Sequence, residues 1–268
     1  MGSSRADERP RESGSPSFTI GPIRQHNVDG ARTGLPKSET PKVQDIVQEL
    51  RAQGNPKFLK GMARFAITTG TSFGVSVPTV RSIAKKIGKN HGLALDLWST
   101  GYHDARLLAT MIDDPLEVSE GQMEIWARDF DSWDVVDQCC GNVFCKTPFA
   151  VKKSLEWSGR GEEFVKRAGF SLMAYLAVHD KKAPNKTFLA FLPVIAREAS
   201  DERNFVRKAV NWALRQIGKR NLALNNSAIS TAKEICQLES KAARWIARDA
   251  LRELTSKAVL EKMRSDSE

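Results

Sequence analysis

The sequence has no long apolar run. Its 268 residues nowhere contain about 18 consecutive apolar residues, which is the length that a helix needs to cross a bilayer. Its beginning also lacks the charged start and apolar core of a secretion signal. We therefore expect a cytoplasmic protein with no membrane partner.

Cysteine and histidine are scarce, with four of each. Cys139, Cys140 and Cys145 are crowded into the stretch CCGNVFC, which is a poor framework for extracellular disulfides. The stretch also lacks the paired spacing and the nearby histidine of a zinc site. We expect buried thiols, no metal and no other cofactor. A thiol nucleophile is an alternative, but no histidine lies near enough in sequence to activate it.

Alternation between apolar and polar residues, the pattern of a half-buried strand, is also absent. From Thr40, a predicted N-cap with Pro41 in the first turn, helical patterns follow one another between short Gly, Pro, Asn or Asp stops. Residues 1–38 are rich in Ser, Pro, Gly and Arg and predict a disordered tail, so one all-α domain is predicted over 41–262. The predicted helices are 41–53, 56–68, 77–88, 91–99, 104–112, 119–130, 132–144, 148–158, 161–179, 186–199, 203–219, 226–238 and 240–262.

Positive charge is in excess over most of the chain. The formal net charge is +9, and residues 1–40 contribute only one unit of it, because they hold six basic and five acidic residues. An excess of this size favours polyanions such as nucleic acid or an acidic membrane over neutral partners.

Three predicted helices share a local pattern in which an aromatic residue is followed by a β-branched residue and then, at the fourth place, by a basic residue. The pattern begins at Phe164 (FVKRAGF), Phe205 (FVRKAVN) and Trp245 (WIARDAL), at spacings of 41 and 40 residues. A period near 40 with two helices per unit is typical of HEAT or armadillo repeats. The sequence therefore predicts an α-solenoid of HEAT-like helical repeats with a concave basic groove.

The predicted helix 203–219 carries a tryptophan on the face that should avoid the core. At about 100° per residue, one stripe contains Val206, Val210, Ala213 and Ile217, and the opposite face contains Lys208, Trp212, Arg215 and Lys219. An indole among three cations indicates a binding function, with the cations holding phosphates.

Helix 161–179 carries Arg167 on the face opposite its predicted core stripe. Arg167 and Lys208 occupy the same place in successive repeats, so we expect both to face one groove. The alternative is that a basic residue at this place binds the neighbouring repeat. The predicted core stripe consists of Val165, Ala168, Leu172, Tyr175 and Leu176.

Trp133 and Asp137 are four residues apart and so share one helical face. A tryptophan beside an acid is often structural, but here Arg167 and Trp212 should approach from neighbouring helices. The arginine can hold a phosphate, the indoles attract cations, and the carboxylate stabilises positive charge. Together they predict a site for a cationic centre on a polyanion.

These residues resemble the AlkD-type DNA alkylation repair glycosylases. The similarity is most specific in NFVRKAVNWALRQIGK, is supported by SWDVVD and EEFVKRAGFSLMAYLA, and covers roughly residues 42–255. It implies HEAT-like repeats around DNA, with Asp137 as the catalytic aspartate, Trp133 and Trp212 as indole walls, and Arg167 on the DNA backbone. The N-terminal tail and the QCC after Asp137 depart from the family pattern.

The resemblance implies a reaction as well. The substrate would be double-stranded DNA with a cationic alkylpurine, such as 3-methyladenine or 7-methylguanine, whose N-glycosidic bond is hydrolysed without base flipping. We expect a monomer. The alternative is a non-catalytic HEAT-repeat module that binds DNA, RNA or an acidic protein through the same basic groove.

Overall fold

The computed structural model describes residues 42–67 and 70–265, and that part of the chain contains helices and no strand. None of the helices there is both long and apolar enough to cross a membrane. The predicted tail 1–38 and the predicted cap at Thr40 lie outside the described residues. The helices are α1 Val43–Ala52, α2 Pro56–Arg64, α3 Val77–Ile87, α4 His91–Ser99, α5 His103–Ile112, α6 Glu120–Arg128, α7 Trp133–Asn142, α8 Ala150–Ser158, α9 Glu163–His179, α10 Asn185–Glu198, α11 Asn204–Gly218, α12 Leu222–Cys236, α13 Lys241–Leu254 and α14 Lys257–Ser265.

The helices form two layers. In the first layer α3, α5, α7, α9, α11 and α13 pack side by side in chain order, and in the second layer α8, α10, α12 and α14 do the same. Consecutive helices, such as α8 with α9 and α12 with α13, pack across the two layers. This stack of helix pairs confirms the predicted all-α fold of HEAT-like repeats.

The core consists of two clusters along the stack, and α9 contributes residues to both. Val165, Ala168 and Leu172 pack with the helices before α9, whereas Phe170 and Met173 pack with those after it. The predicted core face of α11 is confirmed, since its four residues are fully buried: Val206, Val210, Ala213 and Ile217. The first layer is therefore anchored on both sides of α9.

The repeated aromatic residues lie near the starts of α9, α11 and α13. The ring centroids of Phe164 and Phe205 are 5.5 Å apart, and the guanidinium carbon of Arg207 lies 5.1 Å from the ring centroid of Trp245. The 40-residue period thus corresponds to neighbouring helices of one layer, which is what a solenoid requires.

Two predicted boundaries near the C-terminal end are wrong, and polar side chains explain both. The helix predicted to begin at 226 begins at Leu222, because Asn221 caps it by accepting a hydrogen bond from the Leu224 N–H. The helix predicted over 240–262 is two helices. At the break, the Thr255 hydroxyl donates to the Leu251 carbonyl and Ser256 accepts the N–H of Val259.

We predict that Gly169→Ala destabilises the fold. A β-carbon at Gly169 would lie within 3.0 Å of backbone atoms of Ser154 and Ser158, so α8 and α9 must separate. Forced overpacking costs about 1–3 kcal/mol, which lowers the melting temperature by several degrees. Gly121→Ala is the matched control, because its β-carbon would be 3.8 Å from the nearest side chain. Equal melting temperatures for the two variants would contradict the close approach of α8 and α9.

Candidate functional site

Two polar lines face each other across the contact between α7 and α9. On α7, Trp133, Asp137 and Gly141 follow at intervals of four residues, while Val135 and Cys139 are buried on the other side. On α9, the corresponding line is Arg167, Ser171 and Tyr175. Residues four apart on a helix lie one above the other, so the two lines can make contact along their length.

The centre of this contact is an ion pair between Asp137 and Arg167. Nε of Arg167 donates to Oδ1 of Asp137 at 3.1 Å, and Nη2 donates to Oδ2 at 2.7 Å. The Ser171 hydroxyl adds a third hydrogen bond to Oδ1 at 2.9 Å. Only 16% of the Asp137 side chain and 7% of the Arg167 side chain are exposed. Such a two-point, charge-assisted pair fixes the plane of the carboxylate.

Arg167 also binds the following repeat. Its Nη1 donates to the main-chain carbonyl of Phe205 on α11 at 2.8 Å, and its guanidinium carbon lies 5.7 Å from the centroid of the Trp133 ring. Arg167 is buried and Lys208 is exposed, although the two occupy equivalent places in successive repeats. That both face one groove stays a prediction. Arg167 joins neighbouring repeats, which is the alternative role that the sequence offers for a basic residue at this place.

The two indoles contact different residues of α9, Trp133 the guanidinium of Arg167 and Trp212 the ring of Tyr175. Trp133 is half-buried, and its Nε1 donates to the Phe65 carbonyl at 2.9 Å. Trp212 is also half-buried and meets the ring of Tyr175 edge-on, with centroids 5.0 Å apart at an interplanar angle of 80°. Trp212 is therefore neither in the interior nor fully exposed.

Tyr175 connects Trp212 to the α7 line. A β-carbon at Gly141 would lie 2.6 Å from the Tyr175 ring, so the glycine permits this close approach. Burial raises the pKa of the Tyr175 phenol well above its usual value, and the negative charge of Asp137 adds to the rise. The phenol is thus neutral. The sequence predicts Tyr175 in the core stripe, and Tyr175 does pack against the core. Ser171 was not predicted, although its four-residue spacing from Arg167 was a usable signal.

The cations predicted to flank the site differ in their partners. Lys208 is exposed and has no ion-pair or hydrogen-bond partner in the described part of the chain. Lys219 binds Glu253 at 2.6 Å. Arg215 also binds Glu253 and lies 3.6 Å from Asp249. Their positive charges are therefore largely compensated by acids of α13, and Lys208 alone of these three is free.

The cysteine cluster forms part of the core. Cys139 and Cys140 are fully buried, and burial raises the pKa of both thiols well above the usual value. Burial also raises the pKa of Cys145 to about 11. These thiols are protonated near neutral pH, which does not favour a nucleophilic role.

A solved structure shows the same fold. It is described as a new family of proteins related to the HEAT-like repeat DNA glycosylases with affinity for branched DNA structures. The similarity has a TM-score of 0.68 at 24% sequence identity and covers 80% of this chain and 96% of the other. The search of curated proteins gives no match.

A protein-family model identifies the chain more closely. The model described as DNA alkylation repair enzyme matches residues 46–254. This range contains the whole of α3 to α13, and with them the polar lines of α7 and α9 and both indoles. The chain therefore belongs to the DNA alkylation repair enzyme family.

Proposed function

We propose that the protein is a monomeric DNA glycosylase that hydrolyses the N-glycosidic bond of cationic alkylpurines in duplex DNA without flipping the base. Its substrates would include 3-methyladenine and 7-methylguanine. The observation that carries the proposal is the Asp137 carboxylate, held by three hydrogen bonds beside the Trp133 indole. Membership of a DNA alkylation repair family supports this reading.

The main requirement for hydrolysis of this N-glycosidic bond is a fixed negative charge beside the deoxyribose. An alkylated purine is already positively charged and leaves readily, so no strong general acid is needed. Positive charge then develops on the deoxyribose as the bond breaks. A carboxylate held in place before the reaction stabilises such a charge without reorganisation, and Asp137 would also orient the attacking water.

The hydrogen bonds of Asp137 leave it room for this role. A carboxylate has about four lone-pair positions, and Arg167 and Ser171 occupy three of them, two on Oδ1 and one on Oδ2. One position on Oδ2 is left for a water or for the sugar. Trp133 and Trp212 would present π faces to the same developing charge, and lesion instability with duplex deformation would provide selectivity.

A second candidate function is DNA binding without bond cleavage. Its specific support is the Asp137–Arg167 pair, since the guanidinium compensates much of the negative charge that a glycosylase would use. The solved structure with the same fold is itself described by an affinity for branched DNA. The two functions differ in whether free base is released.

We predict that Asp137→Asn lowers excision of 7-methylguanine on the order of a hundredfold while DNA binding is kept. The change keeps the side-chain shape and removes the charge. It also breaks an ion pair with little solvent access, which costs about 3–5 kcal/mol, so thermal unfolding must show that the variant is folded at the assay temperature. Excision is measured as free base released from methylated duplex.

Glu198→Gln is the matched control for Asp137→Asn. Glu198 binds Lys166, the neighbour of Arg167 on α9, at 2.6 Å and is exposed to a similar extent, 15%. This variant should lose stability but keep full excision. Full excision by Asp137→Asn would show that this carboxylate is not the catalytic group. If the unmodified protein binds methylated duplex well and releases no base, the binding-only function is correct.

We predict that Lys208→Ala reduces the slope of log K against log salt concentration by about one for every duplex sequence. Arg215→Ala should change it less, because Glu253 already compensates that charge. Glu253→Gln should increase affinity, since it frees Arg215 and Lys219. Fluorescence anisotropy over a range of salt concentrations measures all three. Equal slopes for Lys208→Ala and Arg215→Ala would show that the Glu253 pairs break on binding.

A further inference from the structure

α13 carries a basic face that the site does not use. Lys241, Arg244 and Arg248 are exposed, and none of their side chains has a hydrogen-bond or ion-pair partner in the part of the chain that the structure describes. Arg252 lies on the same face, with 80% of its side chain exposed. At 3.6 residues per turn these residues form one line along the helix, opposite the buried alanines.

The basic face has an aromatic centre and no free negative charge. Its residues line an open depression of about 310 Å³ around the half-buried Trp245, and the Arg207 guanidinium lies 5.1 Å from the Trp245 ring centroid. Asp249, the acid in the depression, is bound by Arg252 and by the Asn211 amide. Cations without counterions around an indole fit a phosphate backbone with its sugars and bases.

The position of this face in the repeat connects it to the site. Arg167, Lys208 and Arg248 occupy the fourth place of the repeated pattern on α9, α11 and α13, which pack in that order. Arg167 is paired with Asp137, whereas Lys208 and Arg248 are exposed. Along these three helices, unpaired positive charge therefore begins at α11 and increases toward α13.

We propose that the basic face of α13 binds the backbone of one arm of the DNA duplex, beyond the lesion. Three helix-to-helix steps separate α7 from α13, and at about 8–10 Å per step they span about 24–30 Å. With one base pair per 3.4 Å of the duplex, this corresponds to about 7–9 base pairs from the nucleotide at Asp137. This register, the distance in base pairs between the α13 contact and the lesion, rests on the proposed function. The binding of DNA by α13 does not.

The binding surface is tested on undamaged duplex with the double variant Arg244→Ala/Arg248→Ala. Loss of two phosphate contacts should reduce the salt slope by about two. The matched control is Lys186→Ala/Lys233→Ala, which removes two exposed, unpaired cations from α10 and α12 in the second layer and should leave the slope unchanged. Equal slopes for the two double variants would overturn the proposal, whether or not any base is ever released.

The register is tested with duplexes that carry one 7-methylguanine and are shortened from one end at a time. Wild-type affinity should fall when one particular arm becomes shorter than about 7–9 base pairs. The Arg244→Ala/Arg248→Ala protein should be weaker on the long duplex and insensitive to the length of that arm. If both proteins respond alike to shortening at either end, α13 does not contact the arm.

Discussion

The buried guanidinium of Arg167 is the interaction on which the site and its surroundings depend. A charge removed from water is stable only with well-placed partners, and those of Arg167 come from both neighbouring helices, as the Asp137 carboxylate of α7 and the Phe205 carbonyl of α11. The spacing of three successive first-layer helices is thereby tied to one side chain. The position of the carboxylate and the packing of the repeats cannot vary independently.

Ion pairs between neighbouring helices also determine which cations are available to bind DNA. Among the cations predicted to bind DNA, Arg167 is compensated by Asp137, and Arg215 and Lys219 are compensated by Glu253. In the described part of the chain, the side chain of Lys208 on α11 and those of Lys241, Arg244 and Arg248 on α13 are exposed without an ion-pair partner. A nearly neutral centre beside a cationic flank can hold a DNA backbone without drawing phosphates onto the carboxylate.

The chain belongs to the DNA alkylation repair enzyme family, and the chemistry of the proposed function depends on a single oxygen. Oδ2 of Asp137 accepts one hydrogen bond in the structure and has a second lone pair free. If that lone pair reaches the sugar, the centre is catalytic, and the arginine orients the carboxylate that it partly neutralises. If it does not, the same ion pair is a joint between repeats in a DNA-binding protein.

The amino-acid sequence by itself determined the helical repeats and their core faces, because periodicity and spacing are local properties of the chain. The buried stripe of α11 and the 40-residue period are examples. Helix ends were harder to predict from the sequence where one capping side chain sets the first residue of the helix, as Asn221 does for α12. Only the tertiary structure decided which cations are free, since Arg167 meets a carboxylate 30 residues away and Arg215 meets one 38 residues away. Whether such a side chain faces solvent or an acid depends on the neighbouring helix, which the pattern of its own helix does not contain.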